Sequence, residues 1–373
     1  MKCVGVFAGV GGLELGLQSG GFETELLCEI LPEAQAVLRC NFPEVPIVDD
    51  IKRIKSLPQD ISLICGGFPC QDLSSVGKKR GIEGLQSSLV NEVFRLIKKE
   101  RCEWVLLENV KFMLHLDKGL AMKHITEALE DLGYKWSYRV MNSQNFGVPQ
   151  RRERVYILAS KNYRPESVLF RDPLGVISPI LTRPVDLTFP IGFYWTEGRY
   201  STGLAHDALP PIKGGSTIGI PSPPAILFPS GLVGTPDIRD VERMQGFPEN
   251  WTACAEDVVK PGFRWRLVGN AATVGVCKWI AQGIAEYEEF PVEHNKHTGS
   301  KWPNAAFGSS GNIFEVQGAH GPCISSSLST FLNFPIKPLS YRAVTGFIKR
   351  AKTGNLKFPE KFIDSLTKYS ESL

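Results

Sequence analysis

The chain has 373 residues, of which 43% are hydrophobic and 22% charged, and its formal net charge is only +3. That is the profile of an ordinary soluble globular protein with room for two domains, and so small a charge does not by itself announce a nucleic-acid binder. No apolar run reaches the roughly 18 residues of a membrane span, so no membrane association is expected. The short apolar start, Met1–Phe7, runs into a glycine-rich turn and reads as a core strand rather than a secretory signal. The nine cysteines are odd in number, irregularly spaced and lack a CxxC pair. This argues against a disulfide framework and against a zinc site, and fits a reducing cytoplasm; no metal is expected.

The first 160 or so residues alternate short β-branched runs with helical patterns. Strands are predicted at Cys3–Phe7, Thr24–Glu29, Ile61–Cys65, Trp104–Glu108, Tyr138–Met141 and Val155–Ala159. Val93, Leu96 and Ile97 share one helical face, as do Ile125, Leu129 and Leu132, and Pro32 suits the first turn of a helix running to about Phe42. Strands alternating with helices predict an α/β fold built on a parallel, doubly wound sheet. From Arg164 to Pro236 prolines and glycines become dense and helical periodicity vanishes. Phe193, Tyr194, Trp195, Ile226, Leu227 and Phe228 give this stretch apolar anchors, so it reads as a small loop-rich domain. Helical patterns resume at Asp237–Met244 and Thr273–Tyr287. Residues 293–312 read as a polar connector, and the last 60 or so as a further small unit with a helix at Tyr341–Ala351.

Phe7-Ala8-Gly9-Val10-Gly11-Gly12 follows the first strand and opens a helix. Glycines there let a ligand approach the backbone and leave the helix N-terminus open. Glu29 ends the second strand roughly twenty residues later, where an acid can hold ribose hydroxyls. Asp50-Ile51 follows the third strand and could read an adenine amino group. A dinucleotide fingerprint would need a third glycine at the position held by Glu14. The turn alone leaves a nucleoside site and a plain structural turn both open.

Gly66-Gly67-Phe68-Pro69-Cys70-Gln71 follows the strand at Ile61–Cys65 and therefore lies at the carboxyl edge of the sheet, where open α/β folds place their chemistry. A basic, glycine-containing loop follows, with Ser74, Lys78, Lys79 and Arg80, of a kind that can close over a polyanion. Cysteine is a strong nucleophile as the thiolate, so a catalytic Cys70 needs an electropositive or hydrogen-bonding setting.

Gly67-Phe68-Pro69-Cys70-Gln71 resembles the catalytic loop of the DNA cytosine-C5 methyltransferases. Phe7–Gly12 resembles the family's cofactor turn, Glu29 and Asp50-Ile51 its ribose and adenine contacts, and Glu108-Asn109-Val110 its acid motif. Gln150-Arg151-Arg152-Glu153-Arg154 resembles its QxRxR motif. Arg239–Pro248 and Gly269-Asn270-Ala271, the last departing from the commoner Gly-Asn-Ser, resemble its two late motifs. The motifs occur in the family's order over residues 3–285.

The resemblance implies a Rossmann-like S-adenosylmethionine-dependent methyltransferase domain with a small loop-rich target-recognition domain. The expected divisions are 1–165 for catalysis and cofactor, 166–255 for target recognition, 256–290 returning to the catalytic domain, and 291–373 as an extension of open role. It implies Cys70 as nucleophile, Glu108 as the acid at the target base, and Arg152 and Arg154 as arginines holding the base carbonyl and tying down Glu108 and the nearby loop. S-adenosylmethionine, leaving as S-adenosylhomocysteine, is expected against Phe7, Ala8, Gly9, Val10, Gly11, Gly12, Glu29, Ile30, Asp50, Ile51, Pro69, Leu89, Asn270 and Ala271. Double-stranded DNA is expected to meet Gln71, Ser74, Lys78, Lys79, Arg80, Gln150, Lys213, Gly214 and Arg239, although Arg239 also suits a brace for the small domain. The reacting atom is inaccessible in a duplex, so the target cytosine must flip out. A monomer in a prokaryotic cytoplasm is expected, alone or beside a cognate restriction endonuclease or phage-defence system.

The tRNA-modifying branch carries a Cys-Phe-Thr triplet that this sequence lacks. Ser222-Pro223-Pro224 ends in Ala225 rather than an aromatic, which speaks against an exocyclic-amine methyltransferase. An inactive DNA-binding relative would be expected to have lost Cys70, Glu108, Arg154 or the glycine turn, and all are present.

Overall fold

The computed structural model describes residues 1–69, 89–100, 102–171, 185–197, 203–213, 223–317, 324, 326–354 and 358–373. The chain folds as two compact units interleaved in sequence. Met1–Met141, Glu153–Gly175 and Ala272–Pro322 form the first, and Asn142–Arg152, Val176–Ala271 and Cys323–Leu373 the second.

The first unit is built on a ten-stranded sheet. Its parallel half comprises β1 (Lys2–Val6), β2 (Glu23–Cys28), β3 (Ile47–Val48), β4 (Ile61–Gly67) and β5 (Trp104–Val110), in the order β5-β4-β1-β2-β3. β4 and β5 are near-continuous apolar runs, as strands covered on both faces require. The helices α1 (Gly12–Gln18), α2 (Pro32–Asn41), α3 (Val90–Lys99) and α4 (Leu120–Asp131) lie between these strands or beyond them, each burying an apolar stripe. Val93, Leu96, Ile97, Ile125 and Leu129 are buried in one core with Val4, Val6, Ile64 and Leu107.

The expected all-parallel sheet holds only for this half. β6 (Lys135–Asn142) and β7 (Glu153–Ser160) extend the sheet beyond β5, and β7 runs antiparallel to β5. The stretch 143–152 between β6 and β7 contains a single 3-10 turn, too little for the helical crossover that parallel neighbours need. Nor are residues 293–312 a plain connector. Among them are β12 (Asn295–Lys296) and β13 (Ala305–Ser309), which with β14 (Asn312–Glu315) add three antiparallel strands outside β6. β12 is a polar, exposed pair at the sheet edge, and β13 is a short run of small residues around Phe307, so neither carries a strand pattern of its own.

The second unit carries a five-stranded antiparallel sheet: β8 (Ile191–Phe193), β9 (Ala205–His206), β10 (Ala225–Leu227), β11 (Val233–Thr235) and β15 (Lys337–Pro338), ordered β15-β11-β10-β8-β9. Two helices that follow β15, at Tyr341–Thr353 and Glu360–Glu371, bury Phe347, Phe362 and Leu366 against Phe193, Leu227 and Val233. The end of the chain is therefore no separate unit. Residues from Ala272 to Pro322 belong with the first unit, and those from Cys323 with the loop-rich unit. The short helix at Arg264–Asn270 also groups with this second unit, rather than returning to the catalytic domain.

In the first unit α1 packs on the almost wholly buried helix at Val274–Ala285. A Cβ built at Gly16 would lie 2.3 Å from the Cβ of Cys277, and one at Gly20 2.5 Å from that of Ala281. The two helices approach to a distance only glycine permits, and the turn opening α1 is seated by that contact. Gly16→Ala should therefore lower stability by about 1–3 kcal/mol through overpacking. In urea denaturation this should appear as a lower midpoint with an unchanged slope.

Candidate active site

All four loops that leave the carboxyl ends of β1, β2, β3 and β4 lie on one edge of the first unit's sheet, because these strands are parallel neighbours. The first is the glycine-rich turn. Phe7 has φ 54°, Gly9 57° and Gly11 85°, so the backbone doubles back immediately after β1. Such angles suit glycine and are costly for phenylalanine, which is held there with its ring against the core. A Cβ at Gly9 would meet nothing within 4 Å, leaving the outer face of the turn open, whereas one at Gly11 would strike the Phe42 ring at 2.5 Å. Ala8 and Val10 are buried, and the Ala8 amide donates to the Cys28 carbonyl at 3.0 Å.

Glu29 stands beside this turn. Its Oε2 accepts the Gly9 amide at 2.7 Å and its Oε1 the Leu31 amide at 2.9 Å. Burial pushes its carboxyl pKa up, against the opposing pull of the Leu31, Gly9 and Ile30 amides. Next to it Ile30 is 68% exposed, an apolar side chain left uncovered at the sheet edge. Asp50 caps a 3-10 turn through the Lys52 amide at 3.0 Å, while Ile51 is buried and its carbonyl accepts from Arg95 at 3.1 Å. Leu89 is half-buried against the same core.

The segment leading to Cys70 is described as far as Pro69, which is exposed. Asn109 Nδ2 donates to the Phe68 carbonyl at 2.9 Å and fixes where this segment leaves the sheet. That contribution was not singled out from the sequence, although Asn109 lies inside the Glu108-Asn109-Val110 motif. Gly67 pairs with Glu108 in the β4–β5 register. A Cβ at Gly67 would come within 3.2 Å of Glu108 Oε2, so glycine keeps the space above the carboxyl clear. Glu108 is buried and forms an ion pair with Arg154 Nε at 3.2 Å. Arg154 pairs with Val110 across the antiparallel β5–β7 ladder, which brings its side chain diagonally onto Glu108.

Within the second unit Arg152 is 1% exposed, and its guanidinium donates to the carbonyls of Gly269 at 2.9 Å and Ala271 at 2.8 Å. With Arg154 it was expected at the base carbonyl, Glu108 and the nearby loop; the segment its guanidinium holds here is Gly269-Asn270-Ala271, where Asn270 is exposed and Ala271 buried. Gln150, expected at the DNA, is fully buried and donates to the Met244 carbonyl at 3.0 Å, so it braces the unit from inside. Lys213 pairs with the buried Glu197 and sits over the Tyr194 ring at 4.9 Å. Arg239 is held by both carboxylate oxygens of Asp237, at 2.9 and 3.0 Å, and stacks on Phe334, which makes it a brace. Cys70, Gln71, Ser74, Lys78, Lys79, Arg80 and Gly214 lie outside the described residues. Among the described residues there is no group of acids, histidines or cysteines suited to a metal, and no helix long and apolar enough to cross a membrane.

Residues 1–183 match the family of C-5 cytosine-specific DNA methylases. The type II methyltransferase M2.BsuMI of Bacillus subtilis (strain 168) is 45% identical over 381 residues, covering 98% of this chain and 97% of the relative. M.Bsp6I of Bacillus sp. (strain RFL6) is 30% identical over 315 residues, 76% of this chain and 98% of the relative. The crystal structure of the S. pombe Dnmt2 methyltransferase superposes with a TM-score of 0.53 at 17% identity, over 77% of this chain and 98% of that one, a likeness of fold. The chain therefore belongs to the C-5 cytosine-specific DNA methylase family and is an S-adenosylmethionine-dependent DNA cytosine-C5 methyltransferase.

The first unit's sheet edge fits that cofactor. The turn is open at Gly9, Glu29 is a carboxylate beside it, and Ile30 is an exposed apolar side chain next to that carboxylate, the kinds of group a nucleoside ligand uses.

Replacing Arg152 by Met would strand two buried carbonyls, those of Gly269 and Ala271, at a cost of about 2–4 kcal/mol. Arg152→Lys should recover less than half of this, because one ammonium cannot reproduce the planar fork. Urea denaturation of the three proteins measures the order; equal stability of all three would show the carbonyls satisfied by other means.

Proposed function

We propose that the chain methylates C5 of a cytosine turned out of a short duplex sequence, with Cys70 as nucleophile. The observation that carries the assignment of roles is the buried Glu108–Arg154 pair, set by strand register beside the segment that ends in Cys70. Cytosine C5 is a poor nucleophile, and addition of the Cys70 thiolate to C6 makes it enamine-like. The addition builds electron density on the ring, which a proton held by Glu108 at N3 would stabilise. Arg154 orients that carboxyl, and its remaining guanidinium donors can meet the base carbonyl. S-adenosylmethionine, when bound, supplies an electrophilic methyl group on its sulfonium. Loss of the C5 proton and expulsion of Cys70 then restore the aromatic ring.

Gly9, Glu29, Ile30, Asp50 and Ile51 would hold the adenosyl part. Pro69, Leu89, Asn270 and Ala271 are the family-implied remainder. The basic loop with Gln71, Ser74, Lys78, Lys79 and Arg80 would close over the DNA and occupy the vacated base position. Lys213 and Gly214 are assigned to target recognition, and the Lys213–Glu197 pair would have to open for Lys213 to reach a phosphate or base. The type II names of its relatives support a restriction–modification setting with a cognate endonuclease. The enzyme would act in a prokaryotic cytoplasm as a monomer, since one chain carries every motif.

The test is methylation of unmethylated genomic DNA with S-adenosylmethionine, mapped by bisulfite sequencing. Wild type should mark one short sequence. Cys70→Ala should leave no mark, and Glu108→Gln and Arg154→Ala should each reduce the rate by at least about 100-fold. Absence of any mark with wild type would turn the search to tRNA, and undiminished activity in Cys70→Ala would remove it as nucleophile.

A further inference from the structure

Glu14 occupies the place where a dinucleotide fingerprint has its third glycine, and nothing in the proposed chemistry uses it. It lies in the first turn of α1, directly after the cofactor turn, and is completely buried. A Cβ built on Gly5 of β1 would fall 1.9 Å from Glu14 Oε1. The carboxyl therefore fills the notch that glycine leaves in the strand. Cys65 Sγ of β4 reaches Oε1 at 3.8 Å, and Oε2 meets no partner among the described residues.

The groups that face this carboxyl are Cys3 from β1, Cys65 from β4, Cys277 from the helix at Val274–Ala285, and Glu29 at the end of β2. Burial pushes all three thiols up, Cys3 to about 12, so they stay uncharged. Glu29 adds repulsion, and no cation contributes. An ionised Glu14 would thus be a buried negative charge in a dry notch, met only by its own backbone amide and the Cys65 thiol and lying beside a second carboxylate.

We propose that Glu14 is a positioning residue of the cofactor turn that works as the neutral acid, clasping the start of α1 against β1 and β4. The inference rests on the reading of Phe7–Gly12 as the cofactor site. Burial pushes the Glu14 pKa up to about 7. Below that pH the clasp is intact; above it, keeping the side chain in place costs a buried charge, and the turn loosens. Cofactor affinity should consequently fall as pH rises through neutrality, because only the clasped fraction is competent to bind.

The test is binding of S-adenosylhomocysteine by calorimetry to the full chain and to Glu14→Gln, at about pH 6 and about pH 8.5, with the infrared carboxyl band followed over the same range. Wild-type affinity should weaken by about ten- to thirtyfold between the two pH values, and that of Glu14→Gln by less than about twofold, the amide being neutral throughout. An equal pH dependence in both proteins would overturn the proposal. If the variant fails to fold, the spectra of wild type, Glu29→Gln and Glu108→Gln decide. A buried carboxyl band persisting to about pH 7 in all three supports the neutral clasp, and loss of every such band by about pH 5 in wild type, or of the band near pH 7 in either variant, overturns it. Failure of wild type to bind at either pH would count against the cofactor site itself, and the infrared titration would still report on Glu14.

Discussion

The reversal of direction at β7 is the constraint on which the catalytic edge depends. A carboxylate as buried as Glu108 needs a cation close by, and the short link from β6 leaves no crossover that would let β7 run parallel to it. β7 instead returns antiparallel, and its register sets Arg154 against Glu108 at 3.2 Å. On the other side of β5, the register with β4 sets Gly67 opposite the same residue. One carboxyl is thus fixed from both flanks by backbone pairing, before any loop contributes.

The last two arginines of the Gln-Arg-Arg-Glu-Arg run, Arg152 and Arg154, show how little spacing reveals about work. Arg154 uses its charge on Glu108. Arg152, two residues earlier, uses its geometry, since a planar fork can serve two carbonyls at once. The same contrast separates Gln150, fully buried with its amide on the Met244 carbonyl, from the DNA contact its motif suggested. A polar motif that repeats across a family can be maintained by internal hydrogen bonds as readily as by a ligand.

Much of the fold could be read from period and punctuation. The strands bearing the motifs are buried apolar runs bounded by glycine and proline, and the Val93 and Ile125 faces appear where the 3.6-residue repeat places them. What escaped was non-local. β13 becomes a strand because β6 offers it an edge, and Ala305–Ser309 alone carries no such signal. β15 is two residues, Lys337 and Pro338, and exists through its pairing with β11. A candidate site could be named where a motif suggests a chemistry, as at Glu29 and Glu108, and was obscure where a residue acts through packing. Glu14 looked like a glycine missing from a nucleotide motif; its notch appears only once β1 lies beneath α1.

Both units are discontinuous, and the second closes only with residues beyond 336. Phe347, Phe362 and Leu366, which fill its core, and β15, the outer strand of its sheet, all come after residue 336. During synthesis, therefore, neither the catalytic sheet nor the second unit can be completed from the N-terminal half, even though that half carries the catalytic cysteine, its acid and both arginines. A ribosome that stalls early releases a chain bearing the chemistry without a finished scaffold for it. Competence to modify a genome is in this way tied to translation past residue 366.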